Sequence, residues 1–546
     1  MTNATLIAFC LACLALAMGV FVVPFRIAPP QGVVSASAIA GYNNTAAYAI
    51  YLVLLAVAGL AAARLLLAGR MDLDLTLPRI RYGPSRVVLV VMAGHLALFA
   101  GLYLVKGYFV FGDAMYFQQV LARMVDGAVP YRDINFFYGP AMLYPPYWLS
   151  RVLSVTTAYA VYYAAMYLAG LYLLYLAVKL SVGDSRADGV FILCSLGFFN
   201  HTLGLNYVFV RGLLPAAAVI GLWLYLERPT VGRLAGAAGL LFCTLVYSSE
   251  MGILAALAGL LLAALRIGLP LLADRLPLLG LEVRRANIRS GVPSAGGYEY
   301  GWDLTKAGLT LGRALLVCLL ALSGLIASFY LMDSSFQALT AFVKPMVNQV
   351  GGAGNRPIYF NLPILAVMAA SVLVLGATLA SARGRLGASA TALVLALATL
   401  AIMMQRMAFG VPDSLHVVNN CLPLFLLGLF LAARVRPGGG SVKWYGVLLL
   451  LAVMLPLQVF NAFMFKPYLE RKLGVTAAAD ISVSPAPTSR EVQASLDRIL
   501  AGFGPNHTYY LYALQYYSLP MVLRWHLKQV PYFTILEEAQ MPKDFQ

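Results

Sequence analysis

The segment from 106 to 151 gathers side chains that could do chemistry in a chain that is otherwise strongly apolar. It holds Asp113, the tripeptide Tyr131-Arg132-Asp133 and the tripeptide Tyr138-Gly139-Pro140. A carboxylate such as that of Asp113 can take the proton from a hydroxyl as its oxygen attacks a carbon centre, which is general-base catalysis. The other interpretation of Asp113 is a helix N-cap, since a cap also needs an oxygen at this position. Asp133 likewise has two interpretations, a site carboxylate or a partner of Arg132 that shapes the loop.

A short helix is predicted to position Asp113. Apolar residues recur at helical spacing after Gly112-Asp113, and Asp126-Gly127 followed by Pro130 ends the pattern. Because its apolar residues fall on one side, we expect this helix to lie flat on a bilayer surface.

Four cations follow that could hold a phosphate, and they are Arg211, Lys344, Arg356 and Arg406. Arginine suits this role because its guanidinium presents a fixed fork of donors. The alternative for each is a side chain that reaches the head groups from the end of a membrane span. Arg211 and Arg406 lie directly against apolar spans, where an unpaired charge is costly, and this favours a functional role for them.

Three further polar residues are predicted to contact a substrate. Glu250 lies in a very short turn, where it could bond sugar hydroxyls or pair with Arg211. Asp413 and His416, three residues apart, share one helical face and could contact a sugar or cap a helix. A metal site would need more ligands than these two, so we predict none from them.

The composition indicates a polytopic membrane protein. Of 546 residues 61% are hydrophobic and only 11% are charged. The net charge of +16 lies in short loops between apolar spans, which indicates membrane orientation and not a nucleic-acid partner. All six cysteines lie in apolar segments, so no disulfide is expected. The chain has no Gly-rich phosphate loop, Walker lysine or Ser–His–Asp signature, which argues against an ATP-driven pump or a hydrolase.

Hydropathy predicts about 13 spans. They lie near 5–25, 46–66, 87–105, 157–178, 189–207, 209–226, 234–249, 251–267, 314–332, 361–381, 388–405, 417–433 and 444–464. With the N-terminus inside, the inner loops hold 21 lysines and arginines and the outer loops 9. This positive-inside bias predicts a cytoplasmic N-terminus and an extracytoplasmic C-terminus. All the candidate site residues then lie on the outer side.

Two segments stand apart from the spans. The inner loop 267–311 holds several arginines and is predicted to be a partly amphipathic connector on the inner leaflet. Residues 466–546 have soluble character, with a helix predicted over Ser489–Phe503 and strands over 508–512 and 532–536. We therefore expect a transmembrane domain, 1–465, and a small extracytoplasmic α/β domain, 466–546.

The order of residues in the first outer loop, 106–156, resembles that of GT-C glycosyltransferases. These polytopic enzymes use polyprenyl-phosphate sugars, as in the protein O-mannosyltransferase, lipid A aminoarabinose transferase and bacterial arabinofuranosyltransferase types. The matching positions are Asp113, Tyr116, Gly127, Pro130-Tyr131-Arg132-Asp133, Tyr138-Gly139-Pro140 and Pro145-Pro146. Many members carry two adjacent acids where this chain has Gly112-Asp113, which leaves metal binding open.

The resemblance implies a GT-C-like α-helical bundle that moves a sugar from a polyprenyl-phosphate donor to an acceptor hydroxyl with inversion. Asp113 would be the general base, and the four cations would bind the donor phosphate. The sugar or the acceptor would be contacted by Tyr131, Arg132, Asp133, Tyr138, Glu250, Asp413 and His416. The acceptor would be a lipid, a glycan or a protein at the outer face of a bacterial cytoplasmic membrane. The resemblance names no certain cofactor and leaves a divalent metal open. The alternatives are an O-antigen ligase or polymerase with a lipid-diphosphate donor, and a lipid or solute transporter.

Overall fold

The computed structural model describes most of the chain up to residue 433. The described residues are 14–15, 17–30, 35–68, 83–104, 112–196, 203–275, 304–333, 337–342, 355–358, 362–382 and 388–433, with isolated positions 459, 498 and 501. Lys344 therefore lies outside the described residues. So do most of the connector 267–311, all of the predicted span 444–464 but residue 459, and all of the elements predicted within 466–546 but residues 498 and 501.

The described residues form helices joined by short turns. The main helices are α1 (Asn44–Ala68), α2 (Arg86–Leu104), α3 (Gly112–Val125), α4 (Val155–Val182), α5 (Asp184–Leu196), α6 (Phe209–Glu227), α7 (Val231–Tyr247), α8 (Ser249–Arg275), α9 (Leu304–Asp333), α10 (Leu362–Ala382), α11 (Ala388–Gly410) and α12 (Ser414–Ala433). Short helical turns lie at Val23–Arg26, Ala36–Ile39, Pro140–Met142, Tyr144–Leu149 and Leu205–Tyr207.

Eight of these helices are long and apolar enough to cross a membrane, which confirms the prediction of an α-helical polytopic protein. They are α1, α4, α6 and α8 to α12. Three shorter apolar helices cover Ala17–Arg26, Arg86–Gly101 and Val231–Tyr247. The predicted span 189–207 is not one continuous helix, because Leu203 has a φ of 47° and Gly204 is extended. The predicted number of 13 spans remains a prediction.

Local signals in the sequence set the helix ends. The Ser154 hydroxyl accepts a hydrogen bond from the Thr157 amide and caps α4, which ends at Gly183 with a φ of 82°. The Thr230 hydroxyl caps α7 in the same way. Hydroxyl caps and a left-handed glycine satisfy backbone groups that a helix leaves unpaired at its ends.

Two groups of polar contacts mark the opposite ends of the bundle. At the first end, Ser85 bonds Asp188 and the Arg266 guanidinium lies 2.6 Å from Glu227, so we call this the Glu227 end. At the other, the Asn44 amide donates to the carbonyl oxygens of Arg356 and Phe409. We call this the Asp113 end, because α3 belongs to it. Each contact joins two helix ends that the predicted spans place on the same side of the membrane.

Helices α6 and α12 approach closely near the Asp113 end. A Cβ at Gly212 would lie 2.6 Å from the Asn419 carbonyl oxygen, so only glycine fits there. Pro215 in α6 and Pro423 in α12 lack the N–H groups that would bond the carbonyls four residues earlier. One of these is the Asn419 carbonyl that faces Gly212.

Helix α3 is confirmed, and protein covers its polar as well as its apolar residues, while its predicted place on the bilayer surface stays a prediction. Every residue from 114 to 124 is buried, including Gln118, Gln119 and Arg123. Apolar spacing identifies the helix but does not report what covers its polar face. Asp113 is the second residue of α3 and lies within its first turn, where the helix dipole favours a carboxylate.

Candidate active site

Arg211 is the most densely bonded side chain at the Asp113 end. Its Nε donates to the Ser248 hydroxyl at 3.0 Å, and one terminal nitrogen donates to the Asn206 carbonyl at 3.2 Å. The other terminal nitrogen lies 2.5 Å from Glu250 Oε1. The guanidinium also lies 5.4 Å from the centre of the Tyr138 ring. Only 6% of this side chain is exposed, so Arg211 is a buried cation that protein groups neutralise.

The turn beside Glu250 is as short as the sequence predicts, but Glu250 itself lies in the first turn of α8 and not in the turn between the helices. Helix α7 ends at Tyr247 and α8 begins at Ser249, with Ser248 extended between them. Of the two predicted roles for Glu250, pairing with Arg211 is the one whose contact is present. Its second oxygen, Oε2, is buried and has no hydrogen-bond partner among the described residues.

The first loop docks onto this turn through Gly139. The Gly139 amide donates to the Tyr247 carbonyl at 3.2 Å. A Cβ at Gly139 would lie 2.1 Å from the Val246 carbonyl oxygen, so any other residue would push the loop away. This contact brings the neighbouring Tyr138 ring against Arg211.

Asp113 lies against the segment that begins at Gly204. A Cβ at Gly204 would be 2.7 Å from Asp113 Cβ and 2.3 Å from Asn206 Oδ1, so a glycine is needed for this approach. Asn206 in turn donates through Nδ2 to the Tyr138 hydroxyl at 3.0 Å. Asn206 is 3% exposed, and its Oδ1 has no hydrogen-bond partner among the residues that the structure describes. Asp113, Asn206 and Glu250 therefore surround the Tyr138–Arg211 contact with acceptor oxygens.

The pKa of the Tyr138 hydroxyl responds to the same neighbouring charges. Burial raises the pKa of the Tyr138 hydroxyl above its ordinary value. The positive charge of Arg211 opposes that rise, and the negative charges of Asp113 and Glu250 add to it. All three charges therefore act on this one hydroxyl.

The side chains of Tyr131-Arg132-Asp133 make contacts within the first loop and stabilise its conformation. Tyr131 has a φ of 69°, is 1% exposed and donates its hydroxyl to the Tyr138 carbonyl at 2.7 Å. Arg132 makes a bidentate pair with Asp133, with N–O distances of 3.0 and 2.9 Å. Asp133 Oδ2 also accepts from the Val129 amide at 2.8 Å. These contacts match the interpretation of Asp133 as a partner of Arg132 that shapes the loop. Tyr131 lies in the protein interior.

A second polar group forms a chain of three side chains. His416 Nδ1 lies 2.8 Å from Asp413 Oδ2, and His416 Nε2 lies 3.2 Å from the Tyr207 hydroxyl. Asp413 Oδ1 accepts from the amides of Leu415 and His416, so this carboxylate also caps α12. The sequence predicts both a capping role and a site role for this pair, and the contacts are compatible with both.

Arg406 and Arg356 differ from Arg211 in their surroundings. Among the described residues, no carboxylate forms an ion pair with either side chain. Arg406 is half-buried near Asn355, and the Arg356 amide donates to the Gly410 carbonyl at 2.7 Å. Arg356 lies close enough to Asp413 for its charge to help lower the pKa of that carboxyl.

The site thus has two halves of opposite charge. The acid half comprises Asp113, Glu250 and the single cation Arg211. The cation half comprises Arg356, Arg406 and the single acid Asp413. Tyr207 and His416 lie between them.

The structure brings together most of the residues predicted from the sequence, and it adds Tyr207, Asn206 and Ser248 as direct partners. A polar cluster around 206–211 and 248–250 is visible in the sequence, but no spacing rule joins Tyr207 to His416, 209 residues later. Within the described ranges, no group of three or more His, Cys, Asp or Glu side chains could hold a metal ion. The four cysteines in those ranges have free thiols.

Comparison with known proteins adds no relative. No family model, no curated protein and no solved structure matches the chain.

Proposed function

We propose that this protein is an integral membrane glycosyltransferase that moves a sugar from a polyprenyl-phosphate donor to an acceptor hydroxyl. The observation that carries the proposal is the pairing of an acid half, which holds Asp113, with a cation half, which holds Arg406. Both lie at one end of a bundle of apolar helices. Such an arrangement suits a reaction in which a hydroxyl loses a proton at one place and a phosphate gains charge at another.

The bonds and charges of the proposed step balance. The acceptor oxygen forms a bond to the anomeric carbon, and the bond between that carbon and the phosphate oxygen breaks. The electron pair leaves with the phosphate, whose charge changes from one negative to two. The acceptor proton moves to the Asp113 carboxylate, which would release it to water after the product leaves.

Arg406 supports the phosphate end of the proposal better than Arg211 does. The Arg211 guanidinium already donates to Glu250, Ser248 and Asn206, and the Glu250 carboxylate already compensates its charge. Arg406 is a half-buried cation at the end of a span with no ion pair among the described residues, and an anionic ligand would compensate its charge. Arg356 would add a second positive charge, and we assign Lys344 to the same role from the sequence alone.

The proposed location follows from the charge bias of the loops. With the N-terminus in the cytoplasm, the Asp113 end faces outward, where nucleotide sugars are absent and a lipid-linked donor is required. The environment would be a bacterial cytoplasmic membrane, and the acceptor a lipid, a glycan or a protein. Residues 466–546 would then be extracytoplasmic.

Turnover tests the proposal. The full chain, purified in lipid nanodiscs, is incubated with a panel of farnesyl-phosphoryl hexoses and pentoses and an alcohol acceptor. We expect farnesyl phosphate and a glycoside to form in equal amounts with at least one donor. A protein that binds none of the panel and releases no farnesyl phosphate would contradict the proposal.

Cysteine labelling tests the orientation separately. In a background without native cysteines, Asp126→Cys lies at the exposed end of α3 and Val231→Cys at the exposed start of α7, at the opposite end of the bundle. A membrane-impermeant maleimide added to intact cells should label the first and not the second. The reverse pattern would place the site in the cytoplasm and remove the need for a lipid-linked donor.

A further inference from the structure

Tyr207 is the last member of the hydrogen-bonded chain that begins at Asp413. Its hydroxyl lies 3.2 Å from His416 Nε2, and its ring stands perpendicular to the imidazole at a centroid distance of 5.3 Å. The far side of the imidazole is held by Asp413, whose other oxygen is fixed by two backbone amides. The orientation of the imidazole, and through it that of the Tyr207 hydroxyl, is therefore set by the start of α12.

The Asp413 carboxylate is held in its ionised form, in which it accepts the hydrogen bond from His416. Burial acts to raise its pKa, but the hydrogen bond and charge of His416 and the charge of Arg356 outweigh burial and hold the pKa below its ordinary value. An ionised Asp413 accepts the proton on His416 Nδ1, which fixes the tautomer in which Nε2 faces Tyr207.

The direction of the second hydrogen bond depends on the protonation of His416. A neutral imidazole with its proton on Nδ1 accepts the Tyr207 proton at Nε2. An imidazolium donates from Nε2 to the Tyr207 oxygen, and the Tyr207 proton is then available to another acceptor. The charged or titratable groups that face this pair are Asp413, Arg356 and, on the side of Tyr207, Arg211.

Tyr207 also occupies the point where the two halves of the site meet. It belongs to the turn Leu205–Tyr207, whose preceding Gly204 lies against Asp113 and whose Asn206 bonds Tyr138. Every other residue from 203 to 210 is buried, whereas Tyr207 is half-exposed. A donor that spans the halves would have its sugar–phosphate linkage beside this side chain.

We propose that Tyr207 contacts the substrate and donates a hydrogen bond to the phosphate oxygen that leaves the sugar, while His416 and Asp413 are positioning residues that act through it. The inference rests on the proposed function and deepens it. The leaving oxygen gains negative charge as its bond to carbon breaks, so a hydroxyl aimed at it binds the transition state more strongly than the bound donor.

Turnover of the full chain with a farnesyl-phosphoryl sugar tests this assignment through Tyr207→Phe, His416→Gln and the double variant. Loss of a hydrogen bond that is made mainly in the transition state should lower kcat of Tyr207→Phe by about tenfold with little change in KM. Because His416 acts through Tyr207, the double variant should be no slower than Tyr207→Phe alone. Tyr330→Phe, at an exposed tyrosine of α9, is the matched control and should equal the wild type.

The effects on kcat and KM separate positioning from a merely structural role. His416→Gln should lower kcat with little change in KM, as Tyr207→Phe does, because both variants disturb the same hydrogen bond to the leaving oxygen. Asp413→Asn, which keeps an oxygen to cap α12, should lower kcat in the same way and serves in place of His416→Gln if that variant does not fold.

Three results would overturn the assignment. They are a Tyr207→Phe variant with wild-type kcat, a double variant slowed by the product of the two single effects, and a His416→Gln variant that changes KM and leaves kcat at the wild-type value. Each presumes an active wild type, so it leaves the proposed function standing. A wild type that neither turns over the donors nor binds farnesyl phosphate, measured as a thermal shift, would overturn the proposed function and this assignment together.

Discussion

Replacing Arg211 should unfold the protein more readily, and this effect is separate from any loss of activity. Arg211→Ala removes a guanidinium that is 6% exposed and leaves the Glu250 carboxylate, 16% exposed, without its counter-charge. Removing one partner of a buried ion pair costs about 3–5 kcal/mol, because the remaining charge stays desolvated. Ser248 and the Asn206 carbonyl lose their donors in the same variant.

The double variant Arg211→Met/Glu250→Leu separates the charge from the packing. Apolar side chains of similar volume often replace a buried ion pair at no net cost, so the double variant should be clearly more stable than Arg211→Ala or Glu250→Leu alone. Arg211→Lys should be intermediate, because one ammonium cannot reproduce the three contacts of the fork. The midpoint of unfolding in an SDS titration of the purified protein measures all four variants.

An Arg211→Ala variant that unfolds at the wild-type midpoint would refute this reasoning. It would show that the guanidinium is not committed to Glu250. Arg211 would then return as a ligand of the donor phosphate, the role that the sequence predicts for it.

Three further predictions concern the phosphate end, the docking of the first loop and its acid stability. Arg406→Ala should weaken binding of farnesyl phosphate by about 10- to 100-fold, which is the scale of a hydrogen bond to a charged group. The SDS midpoint of this variant should not fall. Unchanged binding would mean that Arg406 is a membrane anchor. Gly139→Ala should lower that midpoint because its Cβ meets the Val246 carbonyl oxygen, whereas Gly94→Ala, with open space around it, should not; equal midpoints would show that the loop docks differently. The pKa of Asp133 is lowered, first by its hydrogen bond from the neighbouring arginine, so its contribution to stability is present above roughly pH 4 and is lost as the pH falls further. Asp133→Asn should therefore lower the midpoint at about pH 7, and its difference from the wild type should shrink as the pH falls below roughly 4; a difference that stays constant as the pH falls would contradict the assignment.

The membrane bundle is the part of the fold that the sequence predicts well, because apolar length alone identifies a crossing helix. Helix α6, predicted over 209–226, is observed at Phe209–Glu227. A very short turn between the spans 234–249 and 251–267 is also expected from the sequence, and it is observed at Ser248, two residues earlier than predicted. Prediction fails for the span 189–207, because hydropathy averaging treats this apolar run as one helix, whereas the backbone leaves the helical conformation at Leu203 and Gly204.

The side-chain partnerships of the site are harder to predict because they depend on packing between distant segments. Glu250 could be proposed as a partner of Arg211, since both are polar residues at neighbouring turns. Tyr207 could not be joined to His416, because that contact exists only when α6 and α12 approach at Gly212. The burial of Arg123 in α3 is likewise invisible to periodicity, which reports the spacing of apolar residues and not what covers the polar ones.

The central claim is that the Asp113 carboxylate takes the proton of the acceptor, and turnover of Asp113→Asn tests it most directly. Asparagine has nearly the same shape and remains acceptable in the first turn of a helix, but its amide cannot accept the proton. Farnesyl phosphate release should fall by roughly 10²–10⁴-fold in Asp113→Asn. Farnesyl phosphate binding should stay at the wild-type value, and the SDS midpoint should fall only slightly, through the lost interaction of the charge with the helix dipole. Asp126→Asn, at an exposed acid just beyond the end of α3, is the control and should keep full activity. An Asp113→Asn variant that turns over at the wild-type rate would contradict the claim and leave Asp113 as a structural carboxylate in the first turn of α3.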